Sequence, residues 1–290
     1  MTLKISTRLS TSTLPNIRSC SRSSRAKPGA IATSTTTCSR PNAPFVTKVN
    51  PILIRALTCL VLTVLLPFKA YAKPYLVFVH GGAWVSGRAS DYDELGEKLR
   101  SRGYCFKAID YRLAPAVKHP DQVADLNRAI TDLKKEKTAD CDPTQIVLLG
   151  HSAGAHMIAF WASEHREASI KGFVGIEGIY DIPALVKKWP SYKDQFIQSE
   201  FGVAKNWEAA SPKNRKLKTQ APWLVLHSKD DELVELEQSA GFEKSLKAQK
   251  IRVEYVQLAG ATHFGVIESL KEKTSPASLS LERFLKTLKP

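Results

Sequence analysis

A serine between two glycines is the first feature of this sequence that points to chemistry. The pentapeptide from Gly150 to Gly154 reads G-H-S-A-G, follows an apolar run at 146–149 and precedes a stretch of small residues. This order predicts a strand, a sharp turn and a helix, which together lift a serine hydroxyl above the end of a sheet. The pattern predicts that Ser152 is a nucleophile, although the same turn can also carry a serine without a chemical role.

A serine nucleophile needs a base, and the base needs an acid that orients it. In this type of turn the acid and then the histidine follow the serine along the chain. His263, in a glycine-containing loop after the last predicted strand, is the expected base. The acid is expected in the loop after the preceding strand, where Asp230, Asp231 and Glu232 are candidates.

A glycine turn upstream of the serine offers groups that can bind the developing negative charge of acyl transfer. The predicted strand 75–79 ends in the sequence H-G-G-A-W at 80–84. Backbone N–H groups aimed at the carbonyl oxygen stabilise the transition state. We expect Gly82, Ala83 and Ala153, the residue after the serine, to supply these N–H groups, and Trp84 to contact substrate.

The elements that must hold these residues alternate between strands and helices. Buried strands are predicted from apolar runs at 75–79, 105–109, 146–149, 173–176, 223–226 and 253–256. Helices are predicted at 91–102, 121–137, 153–164, 235–248 and 278–288. This alternation predicts an α/β fold, with a mostly parallel sheet of about six strands covered by helices on both faces. Residues 179–221 contain aromatic side chains but no predicted strand, so a short helical cap is expected there.

Together these motifs resemble the α/β-hydrolase fold family, in the branch that holds hormone-sensitive-lipase-like carboxylesterases and kynurenine formamidases. The resemblance covers about residues 75–288 and rests on H-G-G-x-W, on Y-R-L-A-P at 111–115, on G-H-S-A-G and on the downstream aspartate and histidine. The family's acid loop, H-G-x-x-D-x-x-V, aligned with residues 227–234, implies that Asp231 is the acid. Two departures are Ala83, where many relatives have a third glycine, and Ser228, where the acid loop has glycine.

The resemblance implies a serine hydrolase that uses Ser152, Asp231 and His263 on a small-molecule acyl substrate. Our first hypothesis is cleavage of a small carboxylic ester through an acyl-enzyme. An arylformamidase that acts on N-formylkynurenine is the alternative, and a non-catalytic binding protein with the same fold is a lower alternative. The sequence contains no metal-ligand spacing, phosphate loop or dinucleotide fingerprint, so neither a metal nor a cofactor is expected.

The positive charge of the chain is concentrated at its N-terminus. The formal net charge is +14, but residues 1–72 hold ten basic side chains and no acidic one, which leaves 32 basic against 28 acidic side chains in the remainder. A nucleic-acid partner is therefore not expected for the folded part.

Residues 1–72 are predicted to be a disordered leader and a signal peptide. A basic segment, a short apolar stretch and Ala70-Tyr71-Ala72 match the order of an export signal and its cleavage site. We therefore expect an exported hydrolase domain at 73–290, periplasmic or secreted, with no stable membrane span after cleavage. An organelle lumen or a retained N-terminal membrane anchor are the alternatives, and the oligomeric state stays open.

Two cysteines, Cys105 and Cys141, lie in the predicted domain. An exported chain favours a disulfide between them, whereas two buried thiols at strand starts fit the pattern equally well. Another strand is expected between their strands, and two strand spacings of about 10 Å exceed the reach of a disulfide unless the loops lean together.

Overall fold

A computed structural model of the chain describes residues 73–136 and 140–288. Its strands are β1 (Lys73–Val79), β2 (Cys105–Ile109), β3 (Cys141–His151), β4 (Ile170–Ile176), β5 (Trp223–Ser228) and β6 (Val253–Leu258). Its helices are α1 (Asp93–Ser101), α2 (Asp121–Leu133), α3 (Ala153–Glu164), α4 (Ile182–Lys188), α5 (Gln198–Phe201), α6 (Trp207–Ala210), α7 (Leu236–Ala248), α8 (Gly265–Leu270) and α9 (Pro276–Thr287). The prediction of strands and helices in alternation is confirmed, and α8 is an addition to it.

The six strands form one sheet in the order β2-β1-β3-β4-β5-β6, and every neighbouring pair is parallel. The direction in which strands are added reverses between β1 and β3. At such a point the loops at the carboxyl ends of the strands separate and leave a crevice for ligands. The turn after β3, which contains the predicted nucleophile, lies at this crevice.

Alternating side chains of the strands build two hydrophobic cores, one on each face of the sheet. Val77 and Val79 lie in the core that α2, α3 and α7 cover, whereas Leu76 and Phe78 lie in the core that α1, α8 and α9 cover. Complete burial of one such side chain stabilises the fold by roughly 1.5–3 kcal/mol. Because both faces are buried, the strands read as continuous apolar runs in the sequence.

Cys105 and Cys141 form a disulfide, which decides between the two alternatives that the sequence left open. Their Cα atoms are 5.9 Å apart although β1 lies between β2 and β3. Cys141 pairs with Lys73 at the very start of β1, and the β1–β3 register then shifts between Pro74 and Tyr75. This irregular start of β3 allows Cys141 to approach the start of β2.

The predicted cap region consists of short helices. Residues 179–221 contain α4, α5, α6, a π-helical turn at Lys193–Ile197 and two single 3-10 turns, and no strand occurs in this interval. Asp181 begins α4 by accepting a hydrogen bond from the backbone N–H of Ala184. The hydroxyl of Tyr192 donates to the carbonyl of Leu233 at 3.1 Å, which ties this region to the loop after β5.

The predicted leader and signal peptide at 1–72 lie outside the described residues. Across 73–136 and 140–288, the helices are all too short or too polar to cross a membrane.

Candidate active site

Ser152 lies in a strained turn between β3 and α3. Its backbone has φ 54° and ψ −117°, a conformation that residues other than glycine adopt rarely and mostly at functional sites. The turn requires glycine on both sides: a Cβ on Gly154 would lie 2.1 Å from the carbonyl oxygen of Val79, and one on Gly150 would lie 2.5 Å from the carbonyl carbon of Gly154. The pentapeptide therefore has the geometry that its sequence predicts.

The structure brings His263 and Asp231 into direct contact. Nδ1 of His263 lies 2.8 Å from Oδ2 of Asp231. The other two candidate acids bind backbone instead: Asp230 accepts from the N–H of Gly260 and Glu232 accepts from the N–H of His263. Because Asp231 binds Nδ1, the Nε2 atom of His263 is left to exchange a proton with a nucleophile.

Asp231 is held as a buried carboxylate. Its side chain is 1% exposed and accepts hydrogen bonds from the backbone N–H groups of Leu233 and Val234, both at 2.9 Å. Burial alone would raise its pKa, but hydrogen bonds from His227, His263 and Val234 outweigh burial and lower the pKa well below the usual range. The acid therefore stays ionised wherever the protein is folded near neutral pH.

The backbone N–H groups of Gly82, Ala83 and Ala153 are the candidate donors near the serine. Gly82, Ala83 and Trp84 all have positive φ, and a Cβ on Gly82 would lie 2.2 Å from the carbonyl oxygen of Ser86. Within the described part of the chain, the N–H groups of Gly82 and Ala83 make no hydrogen bond. Ala153 is the first residue of α3, where helix N–H groups lack partners within the helix.

The loop that follows β2 holds the glycine turn at 80–84 in place through hydrogen bonds. The hydroxyl of Tyr111, in the Y-R-L-A-P motif, donates to the carbonyl oxygens of His80 and Gly81 at 3.1 and 3.2 Å. Arg112 in the same motif forms an ion pair with the buried carboxylate of Asp125 on α2. The motif therefore positions the turn that carries the candidate oxyanion donors.

Ser152 and His263 line the same cavity, which has a volume of about 290 Å³. Its other lining residues come from the glycine turn, the cap region and the loops after β5 and β6: Gly82, Ala83, Val85, Ser86, Ile179, Tyr192, Gln195, Phe196, Leu233, Val234 and Phe264. Apart from the histidine, none of these described residues carries a carboxylate, an ammonium or a guanidinium group. A larger cavity of about 1060 Å³ lies between residues 163–171 and 216–221, away from the serine.

Trp84 does not line the cavity, so the expected substrate contact is replaced by a packing role. Its side chain is fully buried and packs edge-on against His156 and Phe201, with ring centroids 5.1 and 4.9 Å apart. It also lies 6.3 Å from Phe196, which does line the cavity. Trp84 therefore packs in the core against Phe196, a residue of the cavity wall.

Three residues next to Asp231 and His263 were not singled out from the sequence as site residues. His227 Nε2 lies 3.2 Å from Asp231 Oδ2, and His151 Nε2 donates to the backbone carbonyl of His263 at 3.0 Å. Glu177, directly after β4, is fully buried, and its Oε2 lies 3.6 Å from Nε2 of His151. A signal was present for each, since all three lie within two residues of the carboxyl end of a predicted strand, where the site of a parallel sheet forms.

His151, Glu177 and His263 bring three potential metal-ligand atoms within 4.8 Å of one another. Two of these atoms already have protein partners: Nε2 of His151 donates to a carbonyl, and Nδ1 of His263 is bound by Asp231. The grouping arises from residues far apart in sequence, which is why no metal spacing was visible there. Its contacts are those of a hydrogen-bond network.

Known proteins are similar to this chain at the level of both sequence and fold. Residues 62–246 match the BD-FAE family. The kynurenine formamidase of Meyerozyma guilliermondii is 31% identical over 197 residues, which cover 62% of this chain and 73% of that protein. Esterase LipC of Mycobacterium tuberculosis is 29% identical over 234 residues, which cover 73% of this chain and 58% of LipC.

Solved esterase structures share the fold. The hyperthermophilic esterase from the archaeon Pyrobaculum calidifontis superposes with a TM-score of 0.64 at 24% identity, over 74% of this chain and 77% of that chain. Carboxyl esterase 2 from the fungus Tuber melanosporum gives 0.63 at 20% identity, over 75% and 79% of the two chains. The expected fold and the resemblance to esterases and formamidases are confirmed. The chain belongs to the BD-FAE family, among the α/β hydrolases whose relatives include esterases and kynurenine formamidases.

Proposed function

We propose that the chain is a serine carboxylesterase that hydrolyses small, uncharged esters through an acyl-enzyme on Ser152. The observation that carries the proposal is the cavity of about 290 Å³ next to Ser152 and His263, lined by apolar and uncharged polar side chains. Such a cavity suits a short acyl chain or a small aromatic group. Among the described lining residues, His263 aside, there is no cationic or carboxylate side chain to bind a charged substrate.

The first half-reaction acylates the serine. Oγ of Ser152 attacks the carbonyl carbon while Nε2 of His263 takes the hydroxyl proton, and the charge on the resulting imidazolium is balanced by Asp231 at 2.8 Å. Negative charge moves to the carbonyl oxygen, which the N–H groups of Gly82, Ala83 and Ala153 bind. The ester C–O bond then breaks, and His263 returns the proton to the departing alcohol.

The second half-reaction releases the acid. A water molecule gives a proton to His263 and attacks the acyl carbon, and the same N–H groups bind the second oxyanion. The bond to Ser152 Oγ breaks as His263 protonates this oxygen. An alcohol in place of water would give acyl transfer with the same residues.

Kynurenine formamidase activity is the second candidate, favoured by the 31% identity to the Meyerozyma guilliermondii enzyme of that name. N-formylkynurenine carries both an ammonium and a carboxylate group, and the cavity lining contains no partner of opposite charge for either. This absence, among the described lining residues, favours uncharged esters. The same acylation chemistry applies to a formamide.

The test compares turnover of p-nitrophenyl acetate and butyrate with turnover of N-formylkynurenine by the full chain. We expect kcat/KM for the esters to exceed that for the formamide by at least about 100-fold, and Ser152→Ala to abolish both activities. The reverse preference would establish the formamidase. A wild-type protein that a fluorophosphonate probe labels no better than Ser152→Ala would support the non-catalytic alternative.

We also propose that the protein works in an oxidising compartment after export. The disulfide between Cys105 and Cys141 supports this proposal, because such bonds persist outside the reducing cytosol. The order of basic, apolar and A-x-A segments in residues 1–72 supports it from the sequence. N-terminal sequencing of the native protein is expected to begin at Lys73, and an intact Met1 would refute cleavage.

A further inference from the structure

Glu177 is a second carboxyl group that faces the imidazole of His263. It follows β4, the strand between the one that carries Ser152 and the one that leads to Asp231. Its side chain is fully buried, and its φ of 48° is unusual for a residue other than glycine. Oε2 of Glu177 lies 3.7 Å from Nδ1 of His263 and 3.6 Å from Nε2 of His151. The carboxyl group is thus close to the ring atom that Asp231 binds.

The hydrogen bonds of the two carboxyl groups are unequal. Asp231 accepts bonds from two backbone N–H groups and two histidines. Glu177 accepts one long bond, 3.4 Å from the N–H of Ser228, and its Oε2 has no hydrogen-bond partner among the described residues. Both carboxyl groups lie within 3.7 Å of the same ring atom, Nδ1 of His263, and two carboxylates that share a buried site disfavour each other's ionisation. Asp231 is therefore the ionised member, and Glu177 keeps its proton.

The surroundings of Glu177 maintain that state. Burial, followed by the negative charge of Asp231 and then of Glu232, raises its pKa to about 10, opposed only by the bond from Ser228. His151 faces it as a neutral ring, because burial and His263 lower the pKa of His151 to about 3. With Asp231 in place, Glu177 adds no second charge beside the imidazole.

We propose, building on the proposed function, that Glu177 is a reserve acid, which orients His263 only when the charge of Asp231 is lost. Its oxygen is within a small side-chain rotation of Nδ1, since 3.7 Å needs to shorten by less than 1 Å to form a hydrogen bond. Loss of the aspartate charge removes a main cause that keeps Glu177 protonated. The glutamate can then ionise and orient the ring.

The test is a double-mutant cycle in the full chain, with kcat for p-nitrophenyl acetate as the readout. Removal of the acid from a serine triad lowers kcat about 10⁴-fold where nothing replaces it. We expect Asp231→Asn to lose only about 10- to 100-fold, and addition of Glu177→Gln to remove about another 100-fold. Glu177→Gln in the wild-type background is expected to change kcat less than about 3-fold, because a protonated glutamate and a glutamine at this position are both neutral.

Glu200 provides the matched control. It is another buried carboxyl group, binds Gln122 at 2.6 Å, and burial raises its pKa to about 8. Glu200→Gln added to Asp231→Asn is expected to leave kcat unchanged. An equal loss from Glu177→Gln in both backgrounds would overturn the proposal, and so would an Asp231→Asn variant that already shows the full 10⁴-fold loss.

The pH profile separates positioning from a merely structural contribution. In Asp231→Asn, kcat is expected to rise with pH as Glu177 loses its proton, because only the ionised form orients the ring. Burial still acts on Glu177, so this rise is expected above the pH at which an exposed glutamate titrates. The rise should be absent in the Asp231→Asn/Glu177→Gln protein, and its persistence there would assign it to another group.

Two further measurements keep the cycle interpretable. Circular dichroism melts identify variants that do not fold, and Asp231→Ala with and without Glu177→Gln supplies the same comparison if the asparagine variant does not fold. Labelling of the wild-type protein by a fluorophosphonate tests the proposed function separately. If the wild-type protein hydrolyses esters but Glu177→Gln has no additional effect in the Asp231→Asn background, the role of Glu177 is refuted and the proposed function stands.

Discussion

Nε2 of His227 lies 3.2 Å from Oδ2 of Asp231, the same oxygen that binds the ring of His263. Nδ1 of His227 lies 2.7 Å from the hydroxyl of Ser239 on α7, and Nε2 also lies 3.0 Å from the carbonyl oxygen of Val234. The carboxylate of Asp231, the proposed catalytic acid, is therefore held in position by a second histidine, the fully buried His227.

We predict that His227→Leu lowers both stability and activity. Ser239 and Asp231 would each lose a buried partner, which costs about 1–3 kcal/mol of the free energy of unfolding for each group left unsatisfied. A shift of about 1 Å in a catalytic group can lower the rate about 10²-fold, so we expect kcat to fall at least about 10-fold. Urea unfolding and ester kinetics measure the two effects. His165→Leu, which alters a half-buried ring stacked on Trp161, should leave kcat unchanged.

The protonation of Glu177 makes the stability of the wild-type protein depend on pH. In the unfolded chain a glutamate loses its proton near pH 4.3, whereas in the folded protein burial and Asp231 raise the pKa of Glu177 to about 10. Between these values the folded state binds the extra proton, so the free energy of unfolding falls as the pH rises. Glu177→Gln removes this dependence.

We therefore expect Glu177→Gln to be more stable than wild type by a margin that is larger at pH 8 than at pH 5. Urea unfolding at both pH values measures the margin. Asp231 acts in the opposite direction, since its lowered pKa contributes stability that is lost only in acid, below the pH range of this comparison. A margin of the same size at pH 5 and pH 8 would contradict a protonated Glu177.

We predict that reduction of the disulfide lowers stability without lowering activity at room temperature. The bond between Cys105 and Cys141 joins residues 36 apart in sequence. Closing a loop of this size stabilises a protein by about 2–4 kcal/mol. It joins the starts of β2 and β3, at the opposite ends of the strands from Ser152. The Cys105→Ala/Cys141→Ala protein should have a lower Tm and wild-type kcat, and dithiothreitol should lower the Tm of wild type only.

We predict that Phe196 limits the length of the acyl chain. Phe196 and Tyr192 line the cavity together, with ring centroids 4.8 Å apart. Phe196→Ala removes an aromatic ring from a cavity of about 290 Å³ and should move the preference among p-nitrophenyl esters from acetate or butyrate to hexanoate or longer. Val203→Ser, at an exposed position of the same region, should keep the wild-type preference. An unchanged preference in Phe196→Ala would place the acyl chain elsewhere.

The sequence alone was sufficient to predict the parts of the site that depend on local backbone geometry. A G-x-S-x-G turn requires close backbone contacts that only glycine permits, and the contacts of Gly150 and Gly154 have that form. The six apolar runs were sufficient for the sheet, since strands buried on both faces are continuously apolar. The position of His263 after the last strand followed from the same order.

Tertiary structure decided everything that depends on contacts between distant segments. Three consecutive carboxyl groups follow β5, and the turn that directs Asp231 to Leu233 and Val234 determines which of them reaches His263. The irregular start of β3 decided that Cys105 and Cys141 meet across an intervening strand. Glu177 follows β4 and His263 follows β6, and the two side chains meet because these strands lie on either side of β5 in the sheet. The order of strands is set by packing, which no local pattern encodes.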